Sequence, residues 1–352
     1  MRSPVPDVRI VVVGAGAIGS LLAWALALAG HDVLVVRRGQ TGPATPGSFT
    51  VERPNGSQHS ASITHAGPDA LAIAAESASP VDLAVVAVKQ YDVPSALAIL
   101  AGLPGVAVLT VENGIGAEEE ASAARPTGRL LAGSITASVA RRGDGTIRWL
   151  RIGGLGLAGV RGDAESLGRE VLIAAAAAGM AVRWFPDAAA MKWSKLVANL
   201  VGNATSALLD MDPAAVYANP GLFAIERAQL REALAVARAR GWPIVDLPGA
   251  PVRLLALATG LPGPLARLAL TRTVGGARGG KDPSLRVALG AGGPTEVDWL
   301  NGAVARVGQA AGVSVPVNRL LAELVDEASR QPERRDWFRG RPDRLVDAVT
   351  LR

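Results

Sequence analysis

The sequence contains no cysteine, only three histidines and few aromatic residues, and these shortages exclude several classes of function. Without cysteine there is no disulfide framework, no thiolate nucleophile and no cysteine-ligated metal. The histidines, His31, His59 and His65, are scattered rather than grouped at metal-ligand spacing, so we predict no metal site. No apolar run reaches the roughly 18 residues that a membrane-spanning helix needs, so we expect no membrane association.

The charge distribution does not indicate nucleic-acid binding. The net charge is +5, but residues 330–352 alone hold seven arginines against four acidic residues, and a charged tail of this kind is typically solvated. Trp337 and Phe338 are adjacent rather than spaced for base stacking, so we predict that they pack back on the domain and that the chain binds no nucleic acid. Residues 1–7 leave no room for a signal peptide, and we expect a cytoplasmic protein.

What the sequence does have, close to its beginning, is a β-branched run that leads into closely spaced glycines. The run VRIVVV ends at Val13 and is followed by GAGAIG and an apolar helical segment. Glycines in this context permit a tight turn, close approach of a pyrophosphate and close helix–strand packing, and the helix N-terminus offers N–H groups to phosphates. We therefore predict a dinucleotide site formed by Gly14, Ala15, Gly16, Ala17, Ile18 and Gly19.

The end of the second predicted strand favours NADP(H) over NAD(H). The strand Asp32–Val36 is followed by Arg37 and Arg38, where NAD-specific folds place an acidic residue for the ribose hydroxyls. Asp32 stands at the wrong end of the strand for that role. Guanidinium groups form bidentate bonds to phosphate and suit a 2′-phosphate, whereas a solvated arginine pair in a loop is the alternative.

Two further apolar runs, residues 81–88 and 106–111, are typical of buried parallel strands. The first ends at Lys89 and the second at Glu112-Asn113-Gly114. Ligands of open α/β sheets bind at the carboxyl ends of strands, so Lys89 and Asn113 fall where a cofactor would lie. Because Asn-Gly is also a common turn pair, a simple turn is the alternative for Asn113.

The second half of the sequence is predicted to be helical. The pattern indicates helices over 188–208, 220–240, 295–311 and 318–329, interrupted by a Gly/Pro/Arg-rich stretch over 249–293. We place the domain boundary near residue 186. The predicted organisation is an α/β domain, 1–186, followed by an all-α domain, 187–352, that ends in the basic tail.

One predicted helix carries a polar stripe. Lys195, Asn199 and Asn203 recur at four-residue spacing and share one face. Asparagine is a poor residue for a helix interior, so two of them aligned with a lysine indicate a polar, partly buried wall, with a solvated helix face as the alternative. Periodicity does not choose the lysine, because Lys192 also lies close to the stripe.

Taken in order, these motifs resemble the ketopantoate reductases (2-dehydropantoate 2-reductases). The resemblance includes the segments PSL, which contains Ser284, and TEVDWLNG, which contains Glu296, and it extends from about residue 9 to residue 325. It implies an N-terminal Rossmann-type doubly wound sheet and a C-terminal helical domain of the 6-phosphogluconate dehydrogenase type. It also implies NADPH-dependent reduction of ketopantoate to pantoate, on the route to pantothenate and coenzyme A.

The resemblance implies roles for residues of the helical domain. Lys195, rather than Lys192, matches the proton donor of the family. Asn199 and Asn203 match residues that contact the substrate, and Ser284 matches one that binds the substrate carboxylate.

It implies roles for the cofactor side of the site as well. Asn113 matches a residue at the nicotinamide ribose and the substrate, and Glu296 one near the cofactor and the substrate hydroxyl. Arg38 and Lys89 match positions that face the cofactor phosphates.

Three departures from the family pattern concern the substrate. Glu112 replaces a neutral residue and either alters substrate acceptance or points away, and Ala288 replaces an Asp four residues after Ser284. The stretch over 249–281 is longer than in short members of the family. We expect a small 2-oxo acid as the partner, with a related branched 2-oxo acid as the alternative to ketopantoate.

Two other functions stay open at this point. A non-catalytic NADP(H)-binding regulatory protein would keep the glycine motif without turnover. An NAD-dependent alcohol or hydroxy-acid dehydrogenase is disfavoured by Arg37 and Arg38. Dimerisation of two copies through the helical domain is a further option.

Overall fold

The described part of the chain forms two compact units. The computed structural model describes residues 8–69, 71, 80–277 and 282–351. The first unit comprises the ranges Met1–Glu112, Gly116–Met191 and Leu247–Gly249. The second comprises Asn113–Ile115, Lys192–Asp246 and Ala250–Arg352. Residues 1–7, for which the sequence predicts no signal peptide, lie outside the described residues, as do residues 278–281 of the predicted interruption.

The first unit is a sheet with helices against it. Its strands are β1 (Arg9–Val13), β2 (Asp32–Val36), β3 (Thr45–Glu52), β4 (Gln58–Ala66), β5 (Leu83–Val86), β6 (Ala107–Thr110), β7 (Leu130–Ile135), β8 (Ser138–Arg141), β9 (Ile147–Arg151), β10 (Gly154–Arg161) and β11 (Ala181–Phe185). Its helices are α1 (Ala17–Leu28), α2 (Val93–Ile99), α3 (Ala117–Ala124) and α4 (Glu165–Ala177). A short 3₁₀ turn, Gln90–Asp92, precedes α2.

The strands lie in the order β11-β10-β7-β6-β5-β1-β2-β4-β3-β9-β8. From β7 to β4 all neighbours are parallel, and the chain order reverses between β5 and β1, which is the switch point of a doubly wound sheet. The register pairs Val13 with Val36 on one side and with Val86 on the other. The carboxyl ends of β1, β2 and β5 therefore lie side by side at one edge of the sheet.

Both faces of the parallel strands are buried. Alternate residues of β1 point to opposite sides, so Ile10 and Val12 belong to the core under α1 and α4, whereas Val11 and Val13 belong to the core under α2 and α3. This double burial explains why the strands appear in the sequence as continuous apolar runs. Their observed bounds lie within the predicted runs, with β2 starting and ending where the sequence predicts.

The remaining strands have no counterpart among the predicted elements. β3 and β4 form an antiparallel pair from Thr45↔His65 to Glu52↔Gln58, and β8 and β9 form another. β10 is antiparallel to β7 and parallel to β11. β3 and β4 are half-exposed, and their mixed polar composition lacks the apolar runs that mark the buried strands. β7 is fully buried, but glycine and serine interrupt its apolar pattern.

The second unit is helical and includes most of α5 (Ala188–Leu200). Its other helices are α6 (Ala204–Leu209), α7 (Pro213–Ala218), α8 (Pro220–Ala239), α9 (Val252–Gly260), α10 (Gly263–Ala277), α11 (Ser284–Gly290), α12 (Asn301–Ala310), α13 (Pro316–Arg330), α14 (Pro332–Phe338) and α15 (Pro342–Thr350). The stretch predicted to interrupt the helices over 249–293 thus contains α9, α10 and α11.

The prediction of a single helix over residues 188–208 is wrong. α5 ends at Leu200, and α6 starts at Ala204 after a turn in which Gly202 has a φ of +56°. A side chain is strained at that φ, and a Cβ on Gly202 would also lie 3.0 Å from the Cβ of Pro213. Asn203 is therefore the N-cap residue of α6 rather than a third member of the stripe on α5.

The predicted helix over 295–311 also starts later than expected. A 3₁₀ turn, Val297–Trp299, comes first, and Leu300 has φ −108° and ψ −95° before α12 begins at Asn301. Leu300 is outside the helical region of backbone space, so the helical path cannot run through it.

A buried carboxylate holds the turn between α5 and α6. Glu226 on α8 is fully buried, and it accepts hydrogen bonds from the backbone N–H of Gly202 at 2.7 Å and from the Tyr217 hydroxyl at 2.9 Å. The Thr205 hydroxyl donates to the other carboxylate oxygen. Because a buried acceptor without donors is costly, these bonds favour the non-helical turn over a continuous helix.

The arginine-rich tail is folded into helices, and none of its described arginines is buried. It forms α14 and α15, and the predicted packing holds for Phe338, which is 1% exposed, but not for Trp337, which is 51% exposed. Asp210 fixes the tail, since its carboxylate pairs with Arg339 at 2.9 Å and with Arg286 at 3.0 Å. Hydrogen bonding from Arg286, followed by the charges of Arg286 and Arg339, lowers the pKa of Asp210.

We expect Asp210→Asn to destabilise the chain at pH 7 but not in acid. A lowered pKa means that the ionised carboxylate contributes stability above its ordinary value of 3.8, and that this contribution is lost as the pH falls through the folded-state value. Two partly exposed pairs contribute about 1 kcal/mol, which corresponds to a fall of about 2 °C in Tm at pH 7. Asparagine tolerates the φ of +52° at this position, so the substitution isolates the charge.

Thermal unfolding followed by circular dichroism from pH 7 to pH 3 measures this difference. Asp282→Asn is the control, because Asp282 also pairs with Arg286 but is 56% exposed. A Tm difference between Asp210→Asn and the parent chain that is independent of pH would contradict the assignment.

Candidate functional site

The glycine motif forms the turn between β1 and α1, and two of its glycines are required by packing. Gly14 has a φ of +113°, and a Cβ there would lie 2.4 Å from the carbonyl oxygen of Ala87. A Cβ on Gly19 would lie 2.0 Å from the carbonyl oxygen of Gly14. A Cβ on Gly16 would meet nothing within 4 Å, so Gly16 is not needed for packing. The space that it leaves is where the backbone can be approached from outside.

The N-terminus of α1 is directed at that space. Gly16 is the N-cap residue, and no side chain caps the first turn. The first N–H groups of a helix lack partners inside the helix, and together with the helix dipole they favour an anion. This turn therefore fits the pyrophosphate of a dinucleotide, as the sequence predicts.

Arg141, a residue that the sequence analysis did not single out, also contacts the glycine turn. Its guanidinium Nη1 donates to the carbonyl oxygen of Ala15 at 2.7 Å. Arg141 is the last residue of β8, a strand with no apolar pattern, so nothing in the sequence indicated that it would lie at this turn.

The two arginines after β2 differ in their surroundings. The guanidinium of Arg37 stacks over the Phe49 ring, 5.6 Å from its centre, and burial and then the charge of Arg141 lower its pKa. Arg38 is exposed and pairs with Asp92, with 2.6 Å between its Nη2 and the carboxylate. An exposed pair of this kind contributes at most about 1 kcal/mol, so an incoming phosphate can replace Asp92 as the partner of Arg38.

Lys89 and Arg38 lie at the same edge of the sheet. Lys89 lies three residues after the end of β5 and is the N-cap residue of the 3₁₀ turn that contains Asp92, the partner of Arg38. Lys89 is exposed. Both cations are therefore at the carboxyl ends of the strands that flank β1, where the glycine turn begins.

Glu112 points back into the first unit. Its two carboxylate oxygens accept backbone N–H groups, from Val88 at 3.1 Å and from Val111 at 3.0 Å, and the side chain is 5% exposed. It ties the ends of β5 and β6 together. Of the two expectations for Glu112, the structure favours the one in which it points away from substrate.

In the second unit, Asn113 and Asn199 are in direct contact. The side-chain amide of Asn199 donates to the Oδ1 of Asn113 at 3.1 Å. Lys195 lies one turn before Asn199 on α5 and is half-buried, whereas Lys192 is only 4% exposed. Of the two lysines that the sequence left open, Lys195 is the more accessible.

Asn203 and Ser284 are also brought together. The Oδ1 of Asn203 accepts the backbone N–H of Leu285 at 3.1 Å, in the first turn of α11, which begins at Ser284. Asn203 is 3% exposed, and Ser284 is half-buried. The interruption of the predicted helix at Gly202 is what allows Asn203 to reach α11.

The Asn113 turn is fixed by the segment that contains Glu296. Gly114 has a φ of +92°, and a Cβ there would lie 2.4 Å from the carbonyl oxygen of Trp299. The same carbonyl accepts the backbone N–H of Ile115 at 3.0 Å. Glu296 is 7% exposed and starts the 3₁₀ turn that ends at Trp299. Asn113-Gly114 is thus a turn, which is the alternative interpretation of this pair. Its asparagine side chain also contacts Asn199.

A doubly wound sheet with an uncapped glycine turn, followed by a helical unit with a lysine and paired amides, defines a nicotinamide-dinucleotide oxidoreductase. Two family models match the chain: Ketopantoate reductase PanE/ApbA over residues 10–160, and Ketopantoate reductase PanE/ApbA C terminal over residues 187–329. The chain belongs to the ketopantoate reductase family, as its sequence motifs indicate.

Curated relatives and solved structures agree with this assignment. A 2-dehydropantoate 2-reductase of Halobacterium salinarum is 29% identical over 327 residues, which cover 92% of this chain and 99% of that protein. A PanE/ApbA family ketopantoate reductase from Ralstonia eutropha matches with a TM-score of 0.72 at 24% identity, over 92% of this chain and 99% of that one. D-mandelate dehydrogenase, solved with NADH and anilino(oxo)acetate, has a TM-score of 0.72 at 20% identity, over 92% and 98%.

The expected fold class and enzyme class are confirmed by these matches. The protein is an oxidoreductase of the ketopantoate reductase family, with a mostly parallel sheet and a helical C-terminal part. Within the described ranges, no helix has the length and apolar character to cross a membrane. The same ranges contain no group of three His, Asp or Glu residues arranged to hold a metal ion.

The glycine turn allows a structural role to be separated from a binding role. We expect Gly19→Ala to lower the Tm of the apo protein, because its Cβ would force β1 and α1 apart at a cost of about 1–3 kcal/mol. We expect Gly16→Ala to leave the apo Tm unchanged, since no atom lies near its Cβ. If a pyrophosphate approaches here, the same methyl group weakens NADPH binding about tenfold or more.

Scanning fluorimetry measures the Tm, and titration of NADPH fluorescence measures the Kd. Gly102→Ala is the control, because no atom lies within 4 Å of its Cβ and its φ is not positive. Gly56 also has an open Cβ position, but its φ of +82° would strain an alanine, so Gly56→Ala is not a suitable control. Unchanged NADPH affinity in Gly16→Ala would show that the turn receives no phosphate.

Proposed function

We propose that this enzyme reduces 2-dehydropantoate (ketopantoate) to pantoate with NADPH, a step towards pantothenate and coenzyme A. The observation that carries the proposal is the Asn199–Asn113 hydrogen bond one helical turn from Lys195. It places two neutral amides beside an accessible lysine in a member of this family. Amides can orient a keto acid without adding charge, while the lysine supplies the proton that the reaction needs.

Lys195 is the proposed catalytic acid. NADPH, held by residues of the glycine turn, would supply a hydride to C2 of the keto acid, and the C=O π electrons would move to the oxygen as the C–H bond formed. Lys195 donates a proton from its ammonium group to that oxygen, which gives the hydroxyl of pantoate, and water later reprotonates the amine. Lys192, at 4% exposure, is too enclosed for this role.

The remaining polar residues of the second unit bind the substrate in this proposal. Asn199 and Asn203 contact the keto acid, Ser284 donates a hydrogen bond to its carboxylate, and Asn113 contacts both the substrate and the nicotinamide ribose. Glu296 contacts the cofactor and the substrate hydroxyl. The pairing of Asn113 with Asn199 and of Asn203 with the backbone at the start of α11 supports these assignments, since it fixes the three asparagine side chains before substrate arrives.

NADP(H) is the proposed cofactor, held by the glycine motif, Arg38 and Lys89. The support is the exposed guanidinium of Arg38 at the end of β2, whose weak pair with Asp92 can be exchanged for the 2′-phosphate. The D-mandelate dehydrogenase of similar fold was solved with NADH, which makes NAD(H) the alternative to be tested.

A related branched 2-oxo acid is the alternative substrate. Its specific support is Ala288 on α11, a small residue in place of the family's Asp, four residues after the proposed carboxylate ligand Ser284. Glu112 gives it no support, because both its oxygens are engaged by backbone N–H groups.

The proposal extends to domains, assembly and location. Residues 1–186 would bind the cofactor and residues 187–352 the substrate. A second copy would cover the exposed leucines of α9, of α10 and of the turn between them, namely Leu254, Leu257, Leu261, Leu265 and Leu268. Sedimentation velocity measures whether the chain dimerises. We place the reaction in the cytoplasm, since neither the dinucleotide nor the keto acid crosses a bilayer unaided.

We expect Lys195→Ala to lower kcat for ketopantoate about 10²–10⁴-fold, the usual contribution of a general acid, with the NADPH Kd unchanged. Steady-state oxidation of NADPH at 340 nm measures the rate. Lys192→Ala is the comparison, because loss of an enclosed side chain lowers Tm more than it lowers kcat. Near-normal turnover in Lys195→Ala would refute the mechanism, and no turnover of any 2-oxo acid by the parent chain would favour the regulatory alternative.

We expect Arg38→Ala to raise the KM for NADPH about tenfold or more while it leaves the KM for NADH within about twofold, because only NADPH carries the 2′-phosphate. Asp92→Asn is the matched control. It frees Arg38 from its ion pair and should lower the KM for NADPH slightly. An unchanged NADPH/NADH preference in Arg38→Ala would contradict the assignment of Arg38.

A further inference from the structure

A cavity of about 490 Å³ opens in the second unit between the first half of α8 and the start of α10. Three arginines line it: Arg227, Arg231 and Arg267. The rest of the lining is small or apolar and includes Phe223, which is 6% exposed. The volume is within the range of small-molecule sites, and none of the residues given a role in the proposed reaction lines it.

Two of the guanidinium groups are fixed by neutral acceptors. Arg227 donates from its Nε to the carbonyl oxygen of Thr259 at 3.1 Å and from its Nη2 to that of Leu261. Arg267 donates to the carbonyl oxygen of Ala218. A carbonyl oxygen holds a guanidinium in place without neutralising it, so both positive charges are oriented but keep most of their N–H donors.

In the part of the chain that the structure describes, no carboxylate pairs with these arginines. Among the described residues, none of the three arginines has an acidic partner within ion-pair distance, and no acidic residue lines the cavity. Arg253 and Arg286 of the same unit each pair with an aspartate. Burial, followed by repulsion from Arg231, lowers the pKa of Arg227.

We propose that this cavity, here called the arginine pocket, binds a small organic phosphate. Each arginine has five N–H donors, of which two on Arg227 and one on Arg267 are used by carbonyls. The twelve that remain on the two fixed groups and Arg231 exceed what one carboxylate can accept and are enough for the three oxygens of a phosphoryl group. The apolar wall at Phe223 and Pro264 accommodates the organic part of the ligand.

Helix α8 connects the arginine pocket to the proposed site residues of the same unit. α8 carries the arginines on one side and the fully buried Glu226 and Gln229 on another. Glu226 holds the N–H of Gly202, and Gln229 donates to the carbonyl oxygen of Leu200 at 3.4 Å. A ligand that shifts α8 would thus move the turn before Asn203. The proposal that the pocket binds a phosphate does not depend on the proposed reaction.

Isothermal titration calorimetry with inorganic pyrophosphate, at constant ionic strength, tests the proposal on the full chain. We expect Arg231→Gln to weaken binding about tenfold, the usual effect of removing one charge-assisted contact. Arg238→Gln is the matched control, because Arg238 is an exposed arginine on the same helix that does not line the pocket. Its Kd should stay within about twofold of the parent value.

A second pair of variants tests the same charges without a ligand. Ala224 is exposed and lines the pocket one turn before Arg227. We expect Ala224→Glu to abolish pyrophosphate binding and to raise Tm relative to Ala224→Gln, because the new carboxylate becomes the missing counter-ion. The glutamine variant has nearly the same size and controls for packing.

The outcomes separate the pocket from other anion sites. Loss of affinity in Arg231→Gln and Ala224→Glu, but not in Arg238→Gln and Ala224→Gln, supports the proposal. Binding that is equal in all variants would place the pyrophosphate elsewhere, for instance at the glycine turn, and would overturn it. So would the absence of measurable binding by the parent chain at about 10 mM pyrophosphate, which is weaker than a useful small-molecule site.

Discussion

The first unit depends on the absence of a side chain at Gly14 and Gly19. The carbonyl oxygens of Ala87 and Gly14 lie 2.4 Å and 2.0 Å from where the two Cβ atoms would be, so β1, α1 and the end of β5 can meet only without them. This contact occurs where the strand order reverses, and it opens the edge at which β1, β2 and β5 end. Arg38 and Lys89 follow two of these strands, so the glycine turn and both cations lie at the same edge of the sheet.

The second unit depends on buried polar groups in addition to apolar packing. Glu226 holds the turn at Gly202, and Glu232 accepts the N–H groups of Val317 and Asn318 at the start of α13, both at 2.9 Å. Burial nonetheless raises the pKa of Glu232, so desolvation outweighs these bonds for that group. Such groups are expensive unless satisfied, and their geometry therefore selects one backbone path. That path turns Asn203 towards α11.

How far the sequence predicts the molecule follows from the range of each interaction. The strands β1, β2, β5 and β6 are predictable because burial on both faces requires a local run of apolar residues. The glycine turn is predictable because the residues that it requires all lie within one segment of six. The break at Gly202 was missed because its cause, Glu226, is 24 residues away, and helical periodicity continues through the break. Arg141 was missed for the same reason, since it reaches Ala15 across 126 residues from a strand without a pattern.

Whether an arginine can bind an anion depends more on the group that already contacts its guanidinium than on its presence in the sequence. Arg286 pairs with Asp210 and Asp282, and Arg339 pairs with Asp210, so carboxylates engage both arginines and make them structural. Arg38 is 72% exposed and pairs with the half-buried carboxylate of Asp92, so a phosphate can compete for Arg38 at a cost of at most about 1 kcal/mol. Arg227 and Arg267 are held by carbonyl oxygens, which orient a guanidinium and leave its charge in place. Only the last two arrangements keep positive charge available to a ligand, so the capacity to bind an anion follows from the acceptor that the fold supplies.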